Sequence, residues 1–176
     1  MHSEPRFKDI SLKACRYRLT FTVTETLHLP DYSGSMLRGI FGRALMQLSG
    51  ITTADIQKKT PLFLYSPYAA VFEPQHQPAQ HSGIISTLPS LPVPYVIEPP
   101  LHPARSYQPG EILQFHLVVI GEALEHFKTI LLAWRRAFLQ GVHPNQQGKA
   151  SLKSVEACLD HQQNDQQSQL IFSEEQ

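Results

Sequence analysis

The sequence predicts an α+β domain, an antiparallel sheet carrying two helices on one face. Three observations lead there. Residues 15–25, CRYRLTFTVTE, alternate apolar and polar side chains with the period of a half-buried strand. Two segments, 34–48 and 122–140, repeat apolar residues every three or four positions, as amphipathic helices do. ILQFHLVVIG, 112–121, is a nearly unbroken apolar run placed directly before the second helix.

The first strand puts Cys15, Tyr17, Leu19, Phe21 and Val23 on one face and Arg16, Arg18 and three threonines on the other. After Leu27-His28-Leu29-Pro30, the segment LPDYSGSMLRGIFGRALMQLSG opens the first helix, with Met36, Leu37, Ile40, Phe41, Ala44, Leu45 and Leu48 at helical spacing. Ser33 or Ser35 can cap it through a hydroxyl, and Gly50 can stop it. Gly39 and Gly42 are odd inside it, because glycine is about 1 kcal/mol worse than alanine there. One reading makes them sites of close helix–sheet packing, with Arg38 and Arg43 on a solvated edge. The other makes the segment an anion site, in which a helix N-terminus, hydroxyls and arginines meet phosphate.

Residues 51–110 hold most of the 14 prolines. YAAVFEP (68–74) and PYVIEP (94–99) read as short strands, with a long loop between them and a turn at YQPGE (107–111). The run 112–121 fits a central strand covered on both faces for part of its length. The second helix carries Leu124, Phe127, Leu131, Trp134 and Phe138 on one stripe and ends at Gly141. KASLKSVEAC (149–158) closes the sheet, though Leu152 and Val155 are only loosely patterned. LIF (170–172) can add a short strand beyond a glutamine-rich stretch. This order is the βαββαβ plan of a ferredoxin-like domain. It places Trp134 and Phe41 on the same side of the sheet, with the other face open or packed on a partner. It also brings Cys15 and Cys158 close together on adjacent strands, as free thiols. The domain spans residues 1–158, and 159–176 is a polar tail or the start of a linker to a second domain of the same kind.

Net charge is zero at pH 7. The first sixty residues hold nine Lys and Arg against five acids, which is a weak pointer to an anionic partner. No apolar run is long enough to span a membrane, and MHSEPRFKD lacks the apolar core of a signal peptide. Two well-separated cysteines suit a reducing cytoplasm. No nucleotide-binding glycine loop, hydrolase elbow or zinc motif is present, so no cofactor and no metal is expected. His76 and His81 are the one loop pair that could meet.

YSGSMLRGIFGRAL resembles the helix motif of the CRISPR repeat-processing endoribonucleases of the RAMP superfamily, which reads roughly Y-x-G-S-x-L-R-G-A-F-G-H-A-L. LYSPYAAVFEP, PYVIEPP and YQPGEILQFHLVVIGEALEHF resemble the same family in the same order, from about residue 15 to 158. The resemblance implies two ferredoxin-like domains in tandem, with CRISPR repeat RNA as substrate. It also implies metal-independent attack of a ribose 2′-OH on the adjacent phosphate, leaving a 2′,3′-cyclic phosphate. On that basis Tyr32 and Arg43, with His28 as the nearest histidine, are the candidate catalytic residues. Ser33, Gly34, Ser35, Arg38, Arg16 and Arg18 are the candidate RNA-binding residues, and Arg38 is expected to matter more than Arg135 or Arg136. His116 reads as structural.

The sequence departs from the pattern in two ways. Arg43 stands where the motif often has histidine, and arginine stays protonated, so it can steady a phosphate but accepts a proton poorly. Nothing after Cys158 resembles the family's second domain, so a second RAMP domain or other CRISPR effector subunits are expected partners, with no membrane involved. Two other readings stand beside the endoribonuclease: a non-catalytic RNA-binding subunit of an effector complex, and a protein-interaction module using the open sheet face.

Overall fold

The computed structural model describes residues 12–75, 91–158 and 168–174. Its centre is β1 (Ala14–Val23), which pairs antiparallel with β5 (Ile112–Ile120) on one side and β6 (Ala150–Cys158) on the other. β3 (Tyr95–Glu98) extends the sheet beyond β5, and β7 (Ser168–Ser173) extends it beyond β6. The order is therefore β3-β5-β1-β6-β7, antiparallel throughout. Leaving out β7, this is the strand order of a ferredoxin-like βαββαβ sheet. The two long helices, α1 (Gly34–Leu48) and α5 (Phe127–Gln140), lie on one face. Phe41 and Trp134 stack there with centroids 4.8 Å apart.

Alternation decides what each strand buries. Tyr17, Leu19, Phe21 and Val23 of β1 are buried beneath the helices, as are Leu113, Phe115, Leu117 and Val119 of β5. The expectation that β5 is covered on both faces is not met. Its other face carries Ile112, Gln114, His116, Val118 and Ile120, which are exposed or half-buried. The apolar run reflects Ile112 on one side and Val118 and Ile120 on the other side of the polar pair Gln114 and His116, rather than a second covering layer. In β6, Leu152 opposes Phe21 while Ser154 opposes its neighbour Thr20, so one extra residue, the exposed Lys153, is bulged out. Leu152 and Val155, three apart, thus both reach the core. Cys15 and Cys158 form no disulfide and lie on adjacent strands, with Cys158 directly opposite Arg16.

Residues 51–75 fold differently from the expectation. YAAVFEP is not a strand. Three short helices follow α1, namely α2 (Thr53–Lys58), α3 (Pro61–Leu64) and α4 (Pro67–Val71). Thr60 and Ser66 each accept a backbone N–H as caps, with proline just inside the helix. Proline at the first helical position costs nothing, since its missing N–H would be unsatisfied anyway. Thr52 and Asp55 form a reciprocal capping box. α1 itself starts without the expected cap bond: Ser33 sits in helical conformation and its hydroxyl caps nothing. Ser49 closes α1 just before Gly50 (φ 66°). The second long helix begins later than expected, because Gly121–His126 form a 3-10 turn leading into α5. A separate two-stranded sheet pairs β2 (Leu27–Leu29) with β4 (Arg105–Tyr107). His76 and His81, most of the long loop and residues 159–167 lie outside the described residues. Among the described residues no helix is long and apolar enough to cross a membrane.

Candidate functional site

The glycines and arginines of α1 separate into different roles. A Cβ on Gly42 would stand 2.3 Å from the tip of the Phe72 ring, so the ring occupies the space a side chain would need. Gly39 is exposed and meets nothing within 4 Å. Arg38 turns inward. Its Nη1 donates to the Tyr95 hydroxyl at 2.6 Å, and its guanidinium lies 4.6 Å from the Phe72 ring centroid and 5.4 Å from that of Tyr95. Burial pushes the Tyr95 phenol up to about 12 despite the opposing pull of the Arg38 charge, with Tyr68 adding to the rise. Tyr95 is therefore a neutral hydroxyl that accepts from a cation. Replacing Arg38 by alanine removes a charge-assisted hydrogen bond and two cation–π interactions, and is expected to cost about 2 kcal/mol. Urea denaturation checks this, and an unchanged midpoint would refute the inward role.

Arg16 and Arg18 lie on the open face of the sheet and are already matched. Arg16 Nε donates to Glu98 at 2.8 Å, and Arg18 Nη2 to Glu156 at 2.5 Å. Arg18 is the cross-strand partner of both His116 and Glu156, and Glu98 is paired with His116, so one row across four strands reads acid, base, base, acid. A phosphate on this face would compete with two carboxylates already in place.

Arg43 faces solvent instead. It lines a cleft of about 220 Å³ with Gln47, Gln140 and His143, between the C-terminal half of α1 and the loop that follows α5. The cleft is held on two sides. Gln47 Oε1 accepts from Arg136 Nε at 3.1 Å and Gln140 Nε2 at 3.0 Å, tying the two helices. The loop is closed by Val142 N–H to Gly148 O and His143 N–H to Gln147 O, both 3.1 Å. Gly148 (φ 73°) passes so close that a Cβ there would stand 2.8 Å from the His143 ring. His143 Nε2 accepts the backbone N–H of His28 at 3.4 Å. In the neutral ring the proton then sits on Nδ1.

The structure brings Arg43 and His143 together, with the backbone of His28 behind the imidazole. The His28 side chain points elsewhere, with Nδ1 3.2 Å from Ser106 Oγ. Tyr32 is 89% exposed at the entrance to α1. Among the described residues no hydrogen bond joins it to His28 or Arg43. Ser33 is buried and its carbonyl accepts from Leu37 N–H, while Gly34 packs near Pro99 and Ser35 is exposed. Of the expected phosphate-binding set, Ser35 alone combines exposure with a helix-terminal position. Sequence reasoning missed His143. The signal was its place between Gly141 and Gly148, two glycines that bracket a tight loop after a helix. Among the described residues no group of three or more His, Cys, Asp or Glu side chains is placed to hold a metal ion.

A family model, AF_1859_N, described as an N-terminal domain, matches residues 12–176. No curated protein matches the chain.

Proposed function

We propose, for a chain that belongs to the AF_1859_N family of N-terminal domains, that it binds RNA as one domain of a CRISPR repeat-processing endoribonuclease of the RAMP kind. One observation carries the reading. The stretch that resembles the RAMP helix motif forms the helix after the first strand of a ferredoxin-like sheet, with Tyr32 and Arg43 on the outside. In the reaction, the 2′-oxygen of one nucleotide forms a bond to the neighbouring phosphorus while the bond from phosphorus to the 5′-oxygen breaks. The proton of the 2′-OH must go to a base and the leaving oxygen must receive one. Arg43 can steady the charge that grows on the phosphate. His143 lines the same cleft, and with Nε2 turned to the His28 backbone its Nδ1–H is the group that can donate to a phosphate oxygen.

A non-catalytic RNA-binding role on the same fold is the second reading. It is favoured by Arg43, which does not accept a proton at working pH. The two are separated by incubating the chain with CRISPR repeat RNA, with and without EDTA, and resolving the product ends. The expected result is salt-sensitive binding with weak or absent cleavage. Any cleavage should persist in chelator and leave a 2′,3′-cyclic phosphate. Absence of RNA binding would overturn both readings, and cleavage abolished by EDTA would overturn the mechanism.

A further inference from the structure

We propose that RNA runs across the helix layer of this domain and not across the open sheet face. The inference rests on the RNA-binding reading above and adds which surface takes the phosphates. α1 and α5 together carry Arg38, Arg43, Lys128, Arg135 and Arg136, and neither contains a single Asp or Glu. In a chain whose net charge is zero, that leaves the helix layer with cations alone. Of the acids that flank the two helices, Glu122 and Glu125 belong to the turn that leads into α5, at the opposite end of that helix from Gln140 and the cleft, and Asp31, just before α1, accepts the backbone N–H of Ala104. With Arg38 committed inward to Tyr95, the outward charges are Arg43, Lys128, Arg135 and Arg136, all exposed. Arg136 is bound to Gln47, and Gln47 and Arg43 line the same cleft, so one cation from each helix stands at it.

The open sheet face has the opposite character. Arg16 is paired with Glu98, two strands away on β3, and Arg18 with Glu156 on the neighbouring β6, so this face offers little uncompensated charge. A polyanion gains most where cations lack carboxylate partners, because each phosphate neutralised releases counterions. The helix layer also has the shape for a chain to lie along it. Ser35, Gly39, Arg43 and Gln47 form the solvent line of α1, about 18 Å long at 1.5 Å per residue. Gly39 leaves that line without a side chain in its middle. Tyr32, at its start, presents an exposed ring on which a base can stack. This geometry reverses the ranking expected from the motif, because Arg135 and Arg136 stand on the outer surface of the helix layer and Arg38 does not.

The test uses the full chain, a fluorescently labelled CRISPR repeat RNA and a polyuridine of the same length, titrated over a series of salt concentrations. Three proteins are compared: the parent, an Arg43→Ala/Arg135→Ala/Arg136→Ala variant, and an Arg16→Ala/Arg18→Ala variant, each checked for folding by circular dichroism. The helix-layer variant is expected to bind both RNAs at least about tenfold more weakly. The slope of log affinity against log salt should fall by about 2, or about 0.7 for each single-strand phosphate that is no longer neutralised. The sheet-face variant is expected to keep the parent slope. Arg135→Ala alone, at an exposed site, repeats the measurement should the triple variant misfold, and should lower the slope by about 0.7. If the parent binds RNA and the sheet-face variant loses the slope while the helix-layer variants keep it, the surface is wrong and the RNA-binding reading stands. If the parent binds neither RNA, both are overturned.

Discussion

Replacing Trp134 with alanine is expected to cost roughly 3–5 kcal/mol of folding free energy, a large part of the 5–15 kcal/mol that holds a domain of this kind together. Trp134 is fully buried. Its indole stacks on Phe41 at 4.8 Å and meets Phe115 of the sheet at 4.9 Å, so it joins α1, α5 and β5. Truncation would empty the point at which the helix layer is fastened to the sheet. Trp134→Phe is expected to lose much less. The indole N–H is buried with no hydrogen-bond partner among the described residues. Removing it relieves about 1–3 kcal/mol of unmet desolvation, which offsets part of the cost of a smaller ring. Urea denaturation of the two variants checks both statements. A Trp134→Phe protein that loses as much stability as Trp134→Ala would refute the second statement.

Two glycines in one helix are expected to respond with opposite signs. Gly42→Val should cost about 3 kcal/mol, because the new side chain enters space held by Phe72. That ring cannot simply swing aside, since it is packed against Tyr68 at 5.1 Å and covered by the Arg38 guanidinium at 4.6 Å. Gly39→Ala, three residues earlier on an empty surface, should gain about 1 kcal/mol from helix propensity alone. Shortening the ring with Phe72→Ala should remove most of the Gly42→Val penalty, and a double-mutant cycle measures that coupling. Equal effects at Gly39 and Gly42 would refute the packing role of Phe72.

The contrast between these glycines also marks what a sequence reader can and cannot see. α1 was legible to the residue because its apolar positions recur with the helical period. β1 was legible because alternation is unambiguous when Arg and Thr fill the other face. β6 read loosely for a physical reason: the bulge at Lys153 shifts the alternation by one residue, so Leu152 and Val155 share a face that strict period two would divide. YAAVFEP was misread as a strand because its aromatic and β-branched residues outweighed the Ser66-Pro67 start signal, which settles the local backbone. In the candidate site, Arg43 and Tyr32 are exposed. The inward turn of Arg38 was hidden, since its partners Phe72 and Tyr95 come from segments that only the fold brings together. His143 carries no motif and was found only through the cleft it lines.

The position of β1 has a kinetic consequence. It is the middle strand, yet it is synthesised before both of its neighbours: Ala14 waits for Ile120 and Val23 for Ala150. At about 5–20 residues per second, an interval of roughly 100 residues leaves this strand without its sheet partners for about 5–20 s on the ribosome. During that time both of its hydrogen-bonding edges are open and Leu19, Phe21 and Val23 have no sheet to join. α1, formed from interactions close in sequence, is the one long element able to cover it early. Pairings this distant slow the search for the native state. The nascent chain therefore passes through a window in which a chaperone, or another copy of β1, competes with β5 and β6 for the same edges.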